Sequence, residues 1–165
     1  MKNYIQLLAK YYPGTQAECV GDPSVYSNIV WISAPIAQAE LDTQYITYLK
    51  RVQHDAVNTY REEKISAGYT DPNTVTWSTT PTDIQNINAI CTLIALSVVT
   101  TDQTWRDANN VNHTMTTTEL VTLAGQLGAF VSANYTTSWT HKANIDALTT
   151  EADIMAYDYT TGWPQ

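Results

Sequence analysis

The sequence carries little charge, and most of that charge is acidic. Charged side chains make up 15% of the 165 residues, and the net charge is −8. The second half is the more one-sided, because residues 71–165 contain nine acidic side chains and only Arg106 and Lys142 as bases. Nucleic acid is a polyanion and would be repelled by that half of the chain. We therefore expect no nucleic-acid partner.

Long apolar runs are also missing. The most apolar segment, from Ala89 to Val99, is 11 residues long, whereas a helix needs roughly 20 apolar residues to cross a bilayer. The opening residues, MKNYIQLLAKYYPG, lack the apolar run and the small-residue cleavage site of a secretory signal. We expect no membrane partner, and we expect synthesis and folding in a cytoplasm.

Residues suited to catalysis are few, and their spacing matches no established motif. The six glycines are scattered and form neither GxGxxG nor a phosphate-binding loop, and no GxSxG elbow occurs. Cys19 and Cys91 lie far apart without CxxC or Cys/His ligand spacing, which predicts two free thiols. The sequence shows no evident internal repeat. These features favour a protein that is not an enzyme and has no cofactor.

What the sequence does contain is helical periodicity over two long segments. Apolar residues recur at steps of three and four between Ile36 and Ala67, and Gly68 suits the end of that helix. A second such segment follows Thr116. Its apolar positions, which define the predicted packing face, are Leu120, Leu123, Leu127, Phe130, Val131, Tyr135, Trp139, Ile145 and Leu148. Each helix is about 45 Å long at 1.5 Å per residue, so the two are natural packing partners, within one chain or between chains.

Shorter elements surround these rods. Tyr4 to Tyr11 has helical spacing and is ended by Pro13-Gly14, and the segment 18–33 predicts an irregular hairpin or a single strand. A further helix begins where Thr80 can cap and Pro81 takes the first position. Its apolar residues form two stripes, which predicts burial on more than one side: Ile84, Ile87, Cys91, Ile94 and Val98 in one, Ile90 and Leu93 in the other.

The stretch WRDANNVNHTMTTTEL, from Trp105 to Leu120, concentrates chemically capable residues. Residues 107–110 have the composition of a turn, and the flanking residues predict the two strands of a hairpin. Thr116 and Glu119 have the spacing of a capping box, in which each side chain bonds the other residue's backbone amide. The alternative is a metal site made by His113 with Asp107 or Glu119, but these residues match no metal-ligand spacing. We expect no metal.

The two other histidines lie in predicted helices. His54 and Asp55 fall on the polar side of the first long helix, which predicts a solvated pair with no catalytic role. His141 is predicted to be exposed on the second.

Together these elements predict an α+β fold, with two long helices and a buried helix packed against short antiparallel strands or hairpins. We divide the chain into a small N-terminal attachment region (1–35), a main domain (36–148) and an aromatic C-terminal tail (149–165). Aromatic side chains bury much area and suit protein contacts. The candidate interface residues are Trp105, Trp139, Tyr157, Tyr159 and Trp163.

Four stretches between about residues 60 and 148 resemble a domain-of-unknown-function family found in tail-fibre and tail-fibre-assembly proteins of tailed phages. These stretches are YREEKISAGYT, TPTDIQNI, WRDANNVNHTMTTTEL and LVTLAGQLGAFVSANYTTSWTHKANIDAL. The resemblance implies a structural component of a bacteriophage tail, at the fibre or baseplate, located in the virion after synthesis in the host cytoplasm. Its expected partners are other tail or fibre proteins and further copies of itself, with a trimer suggested by analogy.

Two other interpretations stay open. A tail-fibre assembly chaperone would bind fibre chains transiently and be absent from the mature virion. A host-wall or glycan hydrolase is suggested only by the aromatic residues and the scattered carboxylates. We further hypothesise that the N-terminal region or the aromatic tail docks on a neighbouring chain.

Overall fold

The computed structural model describes residues 2–165 and confirms the α+β class. Five α-helices and six short strands follow one another along these residues. Their order is α1 Tyr4–Tyr11, β1 Ala17–Cys19, β2 Ile29–Trp31, α2 Gln38–Ala67, β3 Tyr69–Thr70, β4 Thr76–Trp77, α3 Pro81–Ala95, β5 Gln103–Arg106, β6 Asn112–Met115, α4 Thr117–Ala147 and α5 Glu151–Ala156. A short 3₁₀ turn, Tyr26–Asn28, precedes β2.

The strands form three separate antiparallel hairpins, β1 with β2, β3 with β4, and β5 with β6. The expected start of α3 and end of α2 are confirmed, whereas α3 ends at Ala95, before Val98 of its predicted stripe. Thr80 caps α3 by accepting a hydrogen bond from the Asp83 amide at 3.3 Å, with Pro81 in the first position. α2 ends at Gly68, whose φ of +91° is a left-handed conformation that favours glycine.

The chain divides into two compact units, and this division differs from the three predicted segments. One unit contains the chain up to His54 together with Ile145–Tyr157, and the other contains Asp55–Asn144 and Asp158–Gln165. The boundaries differ because α2 runs through both units. The boundary between the two units falls after His54, in the middle of that helix.

In the first unit, α1 and the first hairpin pack on the early turns of α2. The buried residues of this cluster are Tyr4, Leu7, Leu8, Ile29, Leu41 and Tyr45. The Tyr4 hydroxyl donates to Asp42 Oδ1 at 2.6 Å, so the aromatic core residue has its polar end satisfied. α5 belongs to the same unit, where Tyr45 Oη donates to Glu151 Oε1 at 3.1 Å.

In the second unit, the later turns of α2 and most of α4 lie side by side and antiparallel. Lys142 Nζ donates to Asn58 Oδ1 at 2.6 Å, and the Arg61 guanidinium lies 4.4 Å from the centre of the Tyr135 ring. The long helices therefore pair within one chain. Trp77, Ile87, Leu123 and Leu127 form the buried core beside them.

α4 packs with a different face from the predicted one along its later half. Its buried stripe continues from Leu120 through polar residues and then to Ile145: Leu120, Leu123, Leu127, Phe130, Asn134, Ser138, His141 and Ile145. Tyr135 and Trp139 lie outside this stripe, with exposures of 36% and 62%. The prediction followed hydrophobicity, whereas the helix keeps the 3.6-residue period and buries polar side chains where that period requires it.

The expectation that α3 is buried on more than one side is wrong. Ile87 is 1% exposed, but Leu93 is 40% exposed, and Leu96 and Val98 beyond the helix are each 67% exposed. Periodicity identifies residues that share a face, but it does not reveal whether another element lies against that face.

Candidate functional site

Asp107 organises the turn of the β5–β6 hairpin. Its Oδ1 accepts hydrogen bonds from the backbone amides of Asn109 and Val111, at 2.8 and 2.9 Å. Its Oδ2 lies 3.0 Å from His113 Nε2. The His113 hydrogen bond, followed by the bond from the Val111 amide, lowers the pKa of Asp107 below its ordinary value. The aspartate therefore acts in the turn, as its sequence context predicts.

Asp71 makes the same set of bonds in the β3–β4 hairpin. Its Oδ1 accepts from the amides of Asn73 and Val75, at 2.8 and 3.0 Å, and its Oδ2 accepts from Trp77 Nε1 at 3.1 Å. The fourth turn residue is left-handed in both hairpins, with φ of +66° at Thr74 and +64° at Asn110.

The correspondence extends beyond the turns into the following helices. Both segments fit the pattern D-x-N-x-V-x-(W/H)-x-x-T-x-x-(D/E), and 36 residues separate each position from its counterpart, as between Asp71 and Asp107. The Thr and the acid of the pattern form the caps of α3 and α4, and Ile87 and its counterpart Leu123 are both core residues. The expectation of no internal repeat is therefore wrong, and this pattern is the signal that reveals it.

The two copies of this module contact each other through equivalent positions. The rings of Trp77 and His113 have centroids 5.0 Å apart. Contact between equivalent residues is the pattern found where two like units pair about a two-fold axis. The Asp107–His113 pair is thus part of an internal packing arrangement.

The capping box at the start of α4 is confirmed. Thr116 donates its backbone amide to Glu119 Oε2 at 2.7 Å, and Glu119 donates its amide to Thr116 Oγ1 at 3.2 Å. Within residues 2–165, no group of three or more His, Cys, Asp and Glu side chains is placed to hold a metal ion. Glu119 therefore caps the N-terminus of α4.

The last part of the aromatic tail, residues 158–165, packs within the second unit. Trp163 is 6% exposed and lies against Tyr60 and His141, with ring centroids 5.4 Å away in both cases. Trp163 Nε1 donates to the Tyr159 carbonyl at 2.7 Å. Trp163 is therefore packed within the chain, and docking of the tail on a neighbouring chain stays a prediction.

His141 is buried beneath this tail, at 8% exposure, and its Nε2 lies 3.0 Å from the Thr161 carbonyl oxygen. The prediction that it is exposed is wrong, because His141 lies on the buried stripe of α4 and the tail packs against it.

The remaining titratable candidates lie in separate places. His54 Nε2 is 3.2 Å from Asp146 Oδ1, so the partner that approaches it is not its sequence neighbour Asp55. Cys19 and Cys91 are both half-buried free thiols, as predicted, and burial raises the pKa of Cys91. None of the described helices contains a stretch long and apolar enough to span a membrane.

The five candidate interface residues differ sharply in exposure. Trp105 is half-buried against the Trp77 core, and Tyr157 and Tyr159 are half-buried as well. Trp163 is buried, as described above. Trp139 is 62% exposed and contacts Tyr135, with ring centroids 6.3 Å apart. Trp139 alone among the five offers most of its side chain to a partner.

Trp139 belongs to a continuous outer face of α4, opposite the buried stripe. The residues of this face are small or uncharged and exposed: Val121, Thr122, Gly125, Gly128, Ala129, Ser132, Thr136, Trp139, Thr140 and Ala143. No Asp, Glu, Lys or Arg occurs anywhere between Leu120 and His141. A solvated helix normally carries charged residues on its outer face, whereas the centre of an interface is depleted of them. We call this surface the α4 outer face, and it is the candidate functional site.

Comparison with known proteins yields one match. No curated protein and no solved structure matches the chain. The profile of a family described as "Domain of unknown function (DUF4376)" matches residues 48–161. That range includes both hairpin modules and the whole α4 outer face. The chain therefore belongs to the DUF4376 family.

Proposed function

We propose that this protein is a structural component of a bacteriophage tail, at the tail fibre or the baseplate, and that it acts through protein–protein assembly rather than catalysis. It would reside in the virion after synthesis in the bacterial cytoplasm. The tail setting rests on the resemblance of residues 60–148 described above.

The observation that carries the assembly role is the α4 outer face. It combines an uncharged stretch of 22 residues, from Leu120 to His141, with an exposed tryptophan. Tryptophan is among the residues that contribute most to binding energy in protein interfaces, and charged residues are depleted there. A surface of this kind fits a protein whose activity is to hold other chains.

The test is quantitative mass spectrometry of gradient-purified virions from the phage that encodes the chain. We expect a fixed copy number, in proportion to the other tail proteins. A chain that is abundant in the lysate but absent from particles would contradict the structural role and favour the assembly chaperone.

Two phage variants extend this test to the surface itself. Trp139→Glu places a charge in the α4 outer face, and Val98→Glu places the same charge at a similarly exposed apolar position outside it. We expect Trp139→Glu to lower incorporation into particles at least tenfold and Val98→Glu to leave it unchanged. Equal incorporation of both variants would remove the α4 outer face from the proposal.

A further inference from the structure

We infer that the α4 outer face binds the same face of a second copy of this chain, as an antiparallel helix pair about a two-fold axis at Ser132. The inference rests on the proposed assembly role and names the partner of that surface.

Two glycines supply the first argument. Gly125 and Gly128 lie in the middle of α4 with ordinary helical backbone, where glycine weakens a helix relative to alanine. A Cβ added at either position would meet nothing within 4 Å in the described chain. Packing inside the chain therefore does not require glycine at either place. A second backbone that approaches α4 closely would require it, since the contact distance between helices is set by the side chains between them.

Charge supplies the second argument and favours a copy of the same chain. Each copy has a net charge of −8, so two copies repel each other least when they meet through surfaces that carry no charge. The α4 outer face is such a place, and the same sequence brings an equally uncharged surface to the other side of the contact. An acidic or basic partner would instead leave its charges unpaired against this face.

The spacing of large and small residues makes the face complementary to itself. In an antiparallel pair centred on Ser132, residues equally far from it on either side lie opposite each other. Trp139, seven residues after the centre, then faces Gly125, seven residues before it. By the same rule Val121 faces Ala143. Each large side chain thus meets a small one, and the pairing occurs twice by symmetry.

The size of the face sets the expected strength. From Val121 to Ala143 it extends about 33 Å, and a helix with side chains is about 10 Å wide, which gives on the order of 350 Å² of projected surface per copy. Contacts that bury less than about 1,200 Å² in total are typical of weak or transient association. We therefore expect a reversible dimer whose population rises with protein concentration.

The experiment is sedimentation equilibrium of the full-length protein over a wide concentration series, with three variants. Trp139→Glu and Gly125→Leu should each weaken dimerisation at least tenfold, and Val98→Glu should leave it unchanged. Circular dichroism should show unchanged helix content in all three, because positions 125, 139 and 98 make no buried contacts. A monomer at every concentration, a trimer, or equal weakening by Val98→Glu would overturn the inference.

Cysteine cross-linking tests the antiparallel geometry. A residue on the two-fold axis meets its own copy, so Ser132→Cys should form a disulfide-linked dimer on mild oxidation. Thr140 is exposed on the same face, but in the antiparallel pair its two copies lie about 24 Å apart at 1.5 Å per residue, so Thr140→Cys should stay unlinked. Linking of both variants would indicate a parallel pair and overturn the inference.

The outcomes also separate this inference from the proposed function. A monomeric protein that enters virions and loses incorporation with Trp139→Glu would overturn the self-pairing and keep the tail role, with another chain on the same face. A dimer that is absent from virions would support the self-pairing and overturn the tail role.

Discussion

Replacing Trp163 with alanine tests whether the C-terminal tail is part of the folded core of its unit. Trp163 is 6% exposed, lies between two aromatic rings and donates its indole N–H at 2.7 Å. A buried tryptophan changed to alanine costs about 3–5 kcal/mol. Detachment of the tail would expose this contact without unfolding the unit, so the loss cannot exceed the free energy that docks the tail. We expect about 3 kcal/mol, at the low end of that range.

The loss of unfolding free energy is measured by urea denaturation, followed by circular dichroism because the substitution alters tryptophan fluorescence. The midpoint should fall while the denaturant slope stays the same. Trp163→Phe keeps a ring between Tyr60 and His141 but removes the indole donor, so it should cost about 1 kcal/mol, the net contribution of a typical hydrogen bond.

Trp139→Ala is the matched control for this measurement. It removes the same side chain from a position that is 62% exposed, and at protein concentrations too low for self-association it should change stability by less than about 0.5 kcal/mol. A Trp163→Ala loss below that value, or an equal loss in both variants, would refute the conclusion that the tail is docked on its own unit.

Two further predictions concern the helix ends. Gly68→Ala should cost at least about 2 kcal/mol in urea unfolding, because φ is +91° and the new Cβ would lie 2.6 Å from a backbone oxygen of β4. Gly128→Ala, in open space within the chain, should instead stabilise the monomer by up to about 1 kcal/mol at protein concentrations too low for self-association. A hydrogen bond from the cap residue's amide lowers the pKa of Glu119 from its ordinary 4.5. Its stabilising effect is therefore present above pH 4.5 and is lost as the pH falls through the lower folded value. The urea midpoint should fall less between pH 5 and about pH 2 in Glu119→Gln than in the unmodified protein.

Helix ends were predictable because their chemistry is local. The Thr80 cap with Pro81, the left-handed Gly68 and the Thr116–Glu119 box each involve residues within a few positions of one another, and all three form as expected. Local hydrogen bonds of this kind depend little on the rest of the fold.

The inward and outward faces were harder to predict where hydrophobicity and helical period disagree. On α4, the period begun at Leu120 and Leu127 leads to Asn134 and His141, both buried, while the apolar Trp139 lies outside. A long helix is rigid enough that its strongly apolar first half determines the rotation of the rest. Because the rotation of α4 is fixed in this way, Trp139 cannot be buried within the chain, and its exposure points to a partner.

The α4 outer face could be recognised only with the structure, and the internal repeat explains why it faces outward. Counterparts 36 residues apart place Leu93 and Leu96 of the first module at the positions of Ala129 and Ser132 of the second.

Leu93 and Leu96 are 40% and 67% exposed, and their counterparts on α4 are exposed too. The hairpin–cap–helix module therefore leaves the same side exposed to solvent in both copies. The exposed side chains are large at the end of α3 and small along α4. Only the second copy continues as a long helix. In the first copy Ser97, two residues beyond the end of α3, is left-handed with φ of +57°, whereas its counterpart Ala133 lies within α4. The long uncharged surface is therefore the continuation, along α4, of a side that is exposed to solvent in both copies of the module.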